Sequence, residues 1–366
     1  MFKIIKQSKI SRARLGRLTT SHGVITTPFF MPDATRGAVK SLSNDDLARL
    51  GLSAMVVNTY HLLLQPGMEI VKKAKGIHKF MDWPGPLLSD SGGYQVFSLI
   101  HKNQGLGKIT DEKVIFRSPL DGAKHDLTPE KSIQIQFDLA VDMMVCLDDC
   151  PPNDASNVVM NAAIKRTIAW AKRCKIEFEK QIKKRKLTAK RPLLFGVIQG
   201  GANLELRKIC AEALFAIGFD GYGYGARHFD SAGNFFAKPL QFTADIIPVD
   251  KPRFGLGIGA PEDIVRCVKM GWDMFDCVIP TREARHGKLY LGNKTINITN
   301  AKFTRDFSPI NKTSKLPELK QYTKAYLHHL FKTQEPLALR LATLNNLEFY
   351  LELMAKLRAG IKNNQV

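Results

Sequence analysis

The sequence predicts an α/β protein, a (β/α)8 TIM-type barrel with a hairpin insertion and a C-terminal α+β appendage. Three observations predict it. Short apolar runs recur from Phe29 to Pro280, each closing on a polar or glycine-rich turn. The runs are continuous rather than alternating, as expected for parallel strands covered on both faces. Helical patterns with their own start and stop signals fall between several of them. A doubly wound sheet is the weaker alternative.

The strands are read as FFMP from Phe29, AMVVN from Ala54, PLLSD from Pro86, MMVCLD from Met143, LLFGVIQ from Leu193, GYGYG from Gly221, RFGLG from Arg253 and FDCVIP from Phe275. Among the helices, NDDLARLG carries a cap at Asn44 or Asp45 and stops at Gly51. TPEKSIQIQFDLAVD opens with Thr128 as cap and Pro129 at the first helical position, where its missing N–H costs nothing. NLELRKICAEALFAIG stops at Gly218, and APEDIVRCVKMG at Gly271. The span Ile100–Asp121 reads as a hairpin insertion after strand three, and the barrel with its insertions occupies 1–286. From Gly287 the pattern changes to short strands turning at Gly292-Asn293, then helices near Lys320–Phe331 and Pro336–Ala359. This subdomain, 287–366, is expected to pack on the barrel.

Composition bounds the function. The chain has 366 residues, of which 44% are hydrophobic, enough for a sizeable core. No apolar run reaches the ~20 residues that span a bilayer, and the basic N-terminus lacks an apolar signal core. A cytoplasmic protein without a membrane partner is expected. Six cysteines are scattered with no CxxC, so neither a disulfide framework nor a cysteine-pair metal site is indicated. Cys146 and Cys150 have no second ligand pair at zinc spacing. Lysine and arginine total 54 against 34 acids, a net +20 that suits a polyanionic partner. The densest run, Lys183–Arg191, reads as a solvated helix end and loop.

Active sites of such barrels lie at the C-terminal ends of the strands. Here those ends carry Asn58, Asp90, Asp148, Gln199, Gly223, Gly225, Gly257, Gly259 and Asp276. A single aspartate after a strand is usually a cap or a turn residue. Three of them after apolar runs would leave carboxylates at the core rim without cations. Two carboxylates facing across a pocket suit glycosidic-bond chemistry, one attacking the anomeric carbon and one protonating the leaving group. Sugar–sugar and sugar–base bonds are both open at this point. The positive charge favours a nucleic acid, and three tryptophans are few for carbohydrate subsites.

The segments FFMPDATRGAVKSL, NTYHLLLQPG, LLSDSGGYQVFSL, FRSPLDG, LFGVIQGG, GFDGYG, GIGAPED, DMFDCVIPTREARHG and KAYLHHL resemble the tRNA-guanine transglycosylases, the queuine tRNA-ribosyltransferase family, over nearly the whole length. The resemblance implies exchange of guanine at the tRNA wobble position for a 7-substituted deazaguanine, with tRNA and that base as partners. It implies Asp276 as the nucleophile on ribose C1′ and Asp90 as general acid/base. It implies that Asp148 and Gln199 read the edge of a flipped base and that Tyr94 stacks on its face. Ser91, Gly92, Gly93, Gly225 and Ala226 would line the base pocket with backbone groups. Gly257, Ile258, Gly259, Ala260, Pro261, Glu262 and Asp263 resemble the family's RNA-binding loop. Thr281, Arg282, Glu283, Ala284 and Arg285 resemble the segment that recognises bases beside the wobble position. The family commonly acts as a homodimer. A catalytically silent tRNA-binding paralogue and a carbohydrate hydrolase are the competing classes.

Two departures stand out. The family's zinc ligands, three cysteines and a histidine, align with Ser314, Leu316, Leu319 and Asn345, so no structural zinc and no cofactor are expected. Leu316 and Leu319 are expected to pack as an apolar knot instead. The bacterial Gly-Gly-Leu-Ala-Val run is here Gly225-Ala226-Arg227-His228-Phe229. Its backbone contacts would survive the Gly-to-Ala change if φ at Ala226 is negative. The incoming base, preQ1 (7-aminomethyl-7-deazaguanine), queuine or another, stays open.

Overall fold

The computed structural model describes every residue except Asn103, 188–190 and Ser231, and leaves aside the side chains of Ser98, Leu99, His101, Lys102 and Gln104. Residues 188–190 of the basic Lys183–Arg191 run therefore lie outside the described residues. Eight parallel strands form one sheet: Phe29–Pro32, Met55–Asn58, Leu87–Asp90, Met143–Val145, Leu193–Ile198, Gly221–Tyr224, Arg253–Gly255 and Met274–Cys277. Each falls on one of the apolar runs. Strand one pairs with strand eight, and an isolated parallel bridge from Asp33 to Val56 joins it to strand two, so the sheet closes into a barrel. The doubly wound alternative is excluded.

Alternation along the strands divides the core. Phe29, Met31, Ala54, Val56, Leu88, Met143, Val145, Leu193, Phe195, Val197, Phe254 and Met274 form one buried cluster inside the barrel. Their neighbours Phe30, Met55, Val57, Leu87, Met144, Leu194 and Phe275 belong to the outer cluster under the helices. The interior is thus filled with layers of side chains, leaving no pore. The period of two then dictates what stands above the top layer. One inward step beyond Val56, Leu88, Val197 and Met274 come Asn58, Asp90, Gln199 and Asp276.

An antiparallel sheet not foreseen from the sequence, Phe2–Gln7, Arg14–Thr20 and Gly23–Thr27, closes the opposite end with Leu18 and Ile25 in the barrel interior. Arg14 and Asp273, both fully buried, tie it to strand eight with a 2.5 Å ion pair. Helices return the chain between strands. Pro129–Leu139 is capped by Thr128 and Leu204–Ile217 ends at Gly218, as their signals require. The helix Asn44–Arg49 is capped one residue earlier than expected, by Ser43, which forms a capping box with Asp46. The insertion also differs. The helix Gly93–Lys102 fills its first part, and three antiparallel strands follow, Gly107–Ile109, Val114–Arg117 and Lys124–Leu127.

Beyond the barrel, Lys288–Leu291 and Lys294–Asn297 form the hairpin turning at Gly292. Helices Lys324–Lys332 and Pro336–Lys362 follow. A third apolar cluster joins Leu289, Phe303, Ile310, Leu327 and Leu341 with Leu316 and Leu319. The long last helix lies on the barrel, where Tyr350 donates to the Gly259 carbonyl and Arg358 to the Pro28 carbonyl.

Candidate active site

The barrel mouth gathers the polar strand ends. Asp90 is held by three donors: the Asn58 side-chain amide at 2.6 Å and the Thr59 and Gly92 N–H groups at 3.2 Å. Gly92 can supply that N–H because its φ is +77° and a Cβ there would press on the backbone of Tyr60. Asp276 accepts from the Gly257 N–H at 2.9 Å through Oδ1. No side-chain donor engages it among the described residues. Asp276 and Asp90 end strands eight and three of the same barrel, and the charge of Asp276 raises the pKa of Asp90. Burial is the largest cause for both. It pushes Asp90 up to about 8, with the charge of Asp33 next, and Asp276 up to about 7.

Asp148 and Gln199 form the second group. The Gln199 amide N donates to Asp148 Oδ2 at 2.6 Å, while its carbonyl oxygen is buried without a partner. A buried acceptor of this kind is open to a donor from water or a ligand. Burial pushes Asp148 up to about 7. A Cβ on Gly225 would lie 2.4 Å from the Gln199 amide nitrogen, so glycine there leaves room for the reading side chain. Arg207, fully buried, donates to the carbonyls of Ile198, Gly201 and Gly225 and stacks over Tyr224, pinning the ends of strands five and six. Tyr94 stands exposed at the rim with its hydroxyl 3.5 Å from Arg227.

With this geometry in view, the relatives decide the family. The queuine tRNA-ribosyltransferase family model matches residues 8–366. A queuine tRNA-ribosyltransferase of Halothermothrix orenii is 43% identical over 363 residues, covering 99% of this chain and 94% of its own. Those of Caldanaerobacter subterraneus and Actinobacillus pleuropneumoniae are each 43% identical, over 365 and 357 residues, covering 100% and 96% of this chain and 94% and 91% of their own. The chain belongs to the queuine tRNA-ribosyltransferase family.

Family membership sharpens the reading of the loops. Ala226 has φ = +109°, so the condition on its backbone is not met. Its N–H is turned to the Cys150 sulfur. An alanine in that region is strained by about 1–3 kcal/mol, part of which glycine would return as unfolded-chain entropy. Ala226→Gly is therefore expected to stabilise the protein by about 1 kcal/mol, read as a higher urea midpoint at unchanged slope. His228 is buried with Nε2 3.3 Å from Asp263, which links the Gly225–Phe229 turn to the Gly257–Asp263 loop.

The two stretches that resemble RNA-contacting segments divide by exposure. Gly257, Glu262 and Arg282 are exposed, and Ala260, Pro261 and Arg285 are half-buried. Ile258, Gly259, Thr281 and Ala284 are buried in this conformation. Asp263 is engaged by His228 and Arg266, and Glu283 by Tyr290 and Lys288. Ser91 and Gly93 are buried beneath the mouth, where the Ser91 hydroxyl accepts from the Gly93 N–H.

The positions aligned with zinc ligands hold other chemistry. The Ser314 hydroxyl donates to Glu348 at 2.5 Å, and the Lys315 N–H to the second oxygen at 2.6 Å. Asn345 donates to the Tyr290 carbonyl and accepts from Asn311. Leu316 and Leu319 are buried in the third apolar cluster. Leu319→Ala is expected to cost about 2–5 kcal/mol in urea unfolding, as for a fully buried leucine. Among the described residues, potential ligand atoms gather at His22, His78 and Asp142, near the closed end of the barrel. The two imidazoles stack at 3.7 Å, and His22 Nδ1 and His78 Nε2 both face the Asp142 carboxylate, at 2.9 and 3.2 Å.

One acid at the mouth escaped sequence reasoning. Asp33 follows Pro32, where the first apolar run was closed, yet it occupies the next inward position after Phe29 and Met31. The alternation of the run was the signal that could have found it.

Proposed function

We propose that this protein exchanges guanine at the tRNA wobble position for a 7-deazaguanine, preQ1 or queuine, through a covalent aspartate–ribose intermediate. What chiefly supports this reading is one observation: Asp276, which no side-chain donor engages, and Asp90 end strands of the same barrel at a mouth that also presents the Asp148–Gln199 pair. Ionised Asp276 attacks ribose C1′, the C1′–N9 bond breaks with its electron pair leaving on guanine, and Asp90 gives its proton to the departing base. The incoming base then returns a proton to Asp90 and displaces Asp276 from C1′. Guanine offers N1–H and 2-amino donors, which suit the open Gln199 carbonyl and Asp148 carboxylate as acceptors. Tyr94 at the rim stacks on the everted base.

The partners are tRNA, met by the +20 chain through Arg282 and Arg285 among others, and the free base. No helix among the described residues is long and apolar enough to cross a membrane. The protein works in the cytoplasm, as a homodimer, without structural zinc: a hydroxyl, two leucines and an amide bonded to its neighbours do not suit that ion. Elemental analysis of purified protein is expected to find no stoichiometric zinc, and one zinc per chain would contradict this part of the reading.

The test of function is incorporation of radiolabelled guanine, then of preQ1 and queuine, into tRNA. Incorporation of label supports the exchange. A protein that binds tRNA yet incorporates nothing is the silent paralogue, and turnover of an aryl glycoside without RNA marks a carbohydrate hydrolase.

A further inference from the structure

Asp33 stands between the two proposed reactive strands. Its neighbour Met31 pairs with Asp276 on strand eight. On its other side it bridges to Val56, and two residues further Asn58 holds Asp90. The inward face of strand one, Phe29 and Met31, carries Asp33 into the same layer. Its carboxylate accepts the Thr35 hydroxyl at 2.6 Å and has no cation within 4 Å among the described residues. A purely structural acid at a core rim would have such a partner.

We propose that Asp33 is a third functional carboxylate of this centre, a positioning residue whose charge decides which of Asp90 and Asp276 holds a proton when the sugar–base bond breaks. This rests on the base-exchange reading above. Three carboxylates around one half-buried cup do not all ionise near neutrality and titrate as a coupled set. The groups facing the cup are Asp90 and Asp276 from strands three and eight, Lys40 from the loop after strand one, and Arg285 from the helix Ile279–Arg285. The charges of Arg36 and Lys40 act on His61.

Burial raises Asp33 too, but the Thr35 hydroxyl and the charges of Lys40 and Arg285 pull it back. Those partners favour its ionised form. Its charge acts on Asp90 more strongly than that of Asp276 does, and it raises Asp276 as well. Asp276 is pushed up to about 7 and Asp90 to about 8. Between those values the nucleophile is charged and the acid still carries its proton. Asp33 itself neither gives nor takes a proton in the exchange.

The experiment is the pH dependence of covalent adduct formation in a single turnover with tRNA, comparing the native enzyme with Asp33→Asn. The native rate is expected to rise as Asp276 ionises and to fall as Asp90 loses its proton. In Asp33→Asn both limbs move to lower pH, the alkaline one further, and Asp33→Glu restores them. On the alkaline side the variant is slower by about tenfold per pH unit of displacement. Limbs that coincide with native, or loss of the adduct at every pH with tRNA binding intact, would overturn the proposal. If Asp33→Asn does not fold, Thr35→Val serves instead. It weakens the ionised form of Asp33, and the alkaline limb is again expected to move down, an unmoved limb counting against the proposal. If the native enzyme forms no adduct, the base-exchange reading fails separately. Titration of ¹³C-labelled aspartate carboxyls in the free protein then tests Asp33 alone. Asp90 and Asp276 steps unchanged by Asp33→Asn would overturn the inference.

Discussion

An Asp276→Asn enzyme is expected to bind tRNA normally, form no covalent adduct and lose exchange by about 10⁴-fold or more, the scale seen when an enzymatic nucleophile is removed. The neutral amide keeps the shape and can still accept from the Gly257 N–H, but it cannot attack C1′. Folding should not suffer. Burial raises the carboxyl to about 7, well above the 3.8 of an unfolded aspartate, so the native state is favoured below about pH 4 and loses that advantage as pH rises toward 7. Asparagine carries no such burden, and the variant is expected to melt no lower than native at neutral pH. Calorimetry and a denaturing gel of the quenched reaction separate the two effects. An adduct that persists in the variant would remove Asp276 as the nucleophile.

Asp90→Asn is expected to slow exchange by about 10²–10⁴-fold, the usual contribution of a positioned acid or base. The first half-reaction suffers because guanine departs unprotonated, the second because nothing accepts the proton of the incoming base. Asn58, Thr59 and Gly92 all donate toward this side chain, so the asparagine carbonyl can hold its place while its own NH₂ adds a donor among donors. Rapid-quench measurement of both half-reactions is the check. If both proceed at native rates in Asp90→Asn, another group carries the proton.

The parts of this molecule that depend on burial were legible in the sequence. Each barrel strand is an apolar run because both of its faces are covered, one by the interior layers and one by helices. The polar residue that ends each run then stands at the mouth, which made Asp90, Gln199 and Asp276 visible. Asp148 also ends its run, but the strict alternation does not lead to it, since Leu147 packs in the outer cluster and the period slips after Val145. Asp33 was hidden by Pro32, which reads as the end of a strand although the inward face continues past it. The positive φ of Ala226 leaves no trace in an alanine side chain, since nothing in its chemistry announces the conformation a glycine would adopt freely. The hydrogen bonds of Glu348 to the Ser314 turn link residues 34 apart, beyond the reach of local patterns. The N-terminal sheet was missed for a related reason: its strands have one exposed face, so polar residues interrupt their apolar ones.

The most direct test of the two-carboxylate centre is to map the covalent bond itself. The native enzyme is mixed with tRNA in the absence of free base, quenched in acid, digested, and the RNA-bearing peptide sequenced by mass spectrometry. The expected result is a single modified peptide containing Met274–Cys277, with the sugar on Asp276, and its disappearance when guanine is returned before the quench. A nucleotide attached to Asp90, to Asp33 or to a residue outside the barrel mouth would contradict the proposed roles.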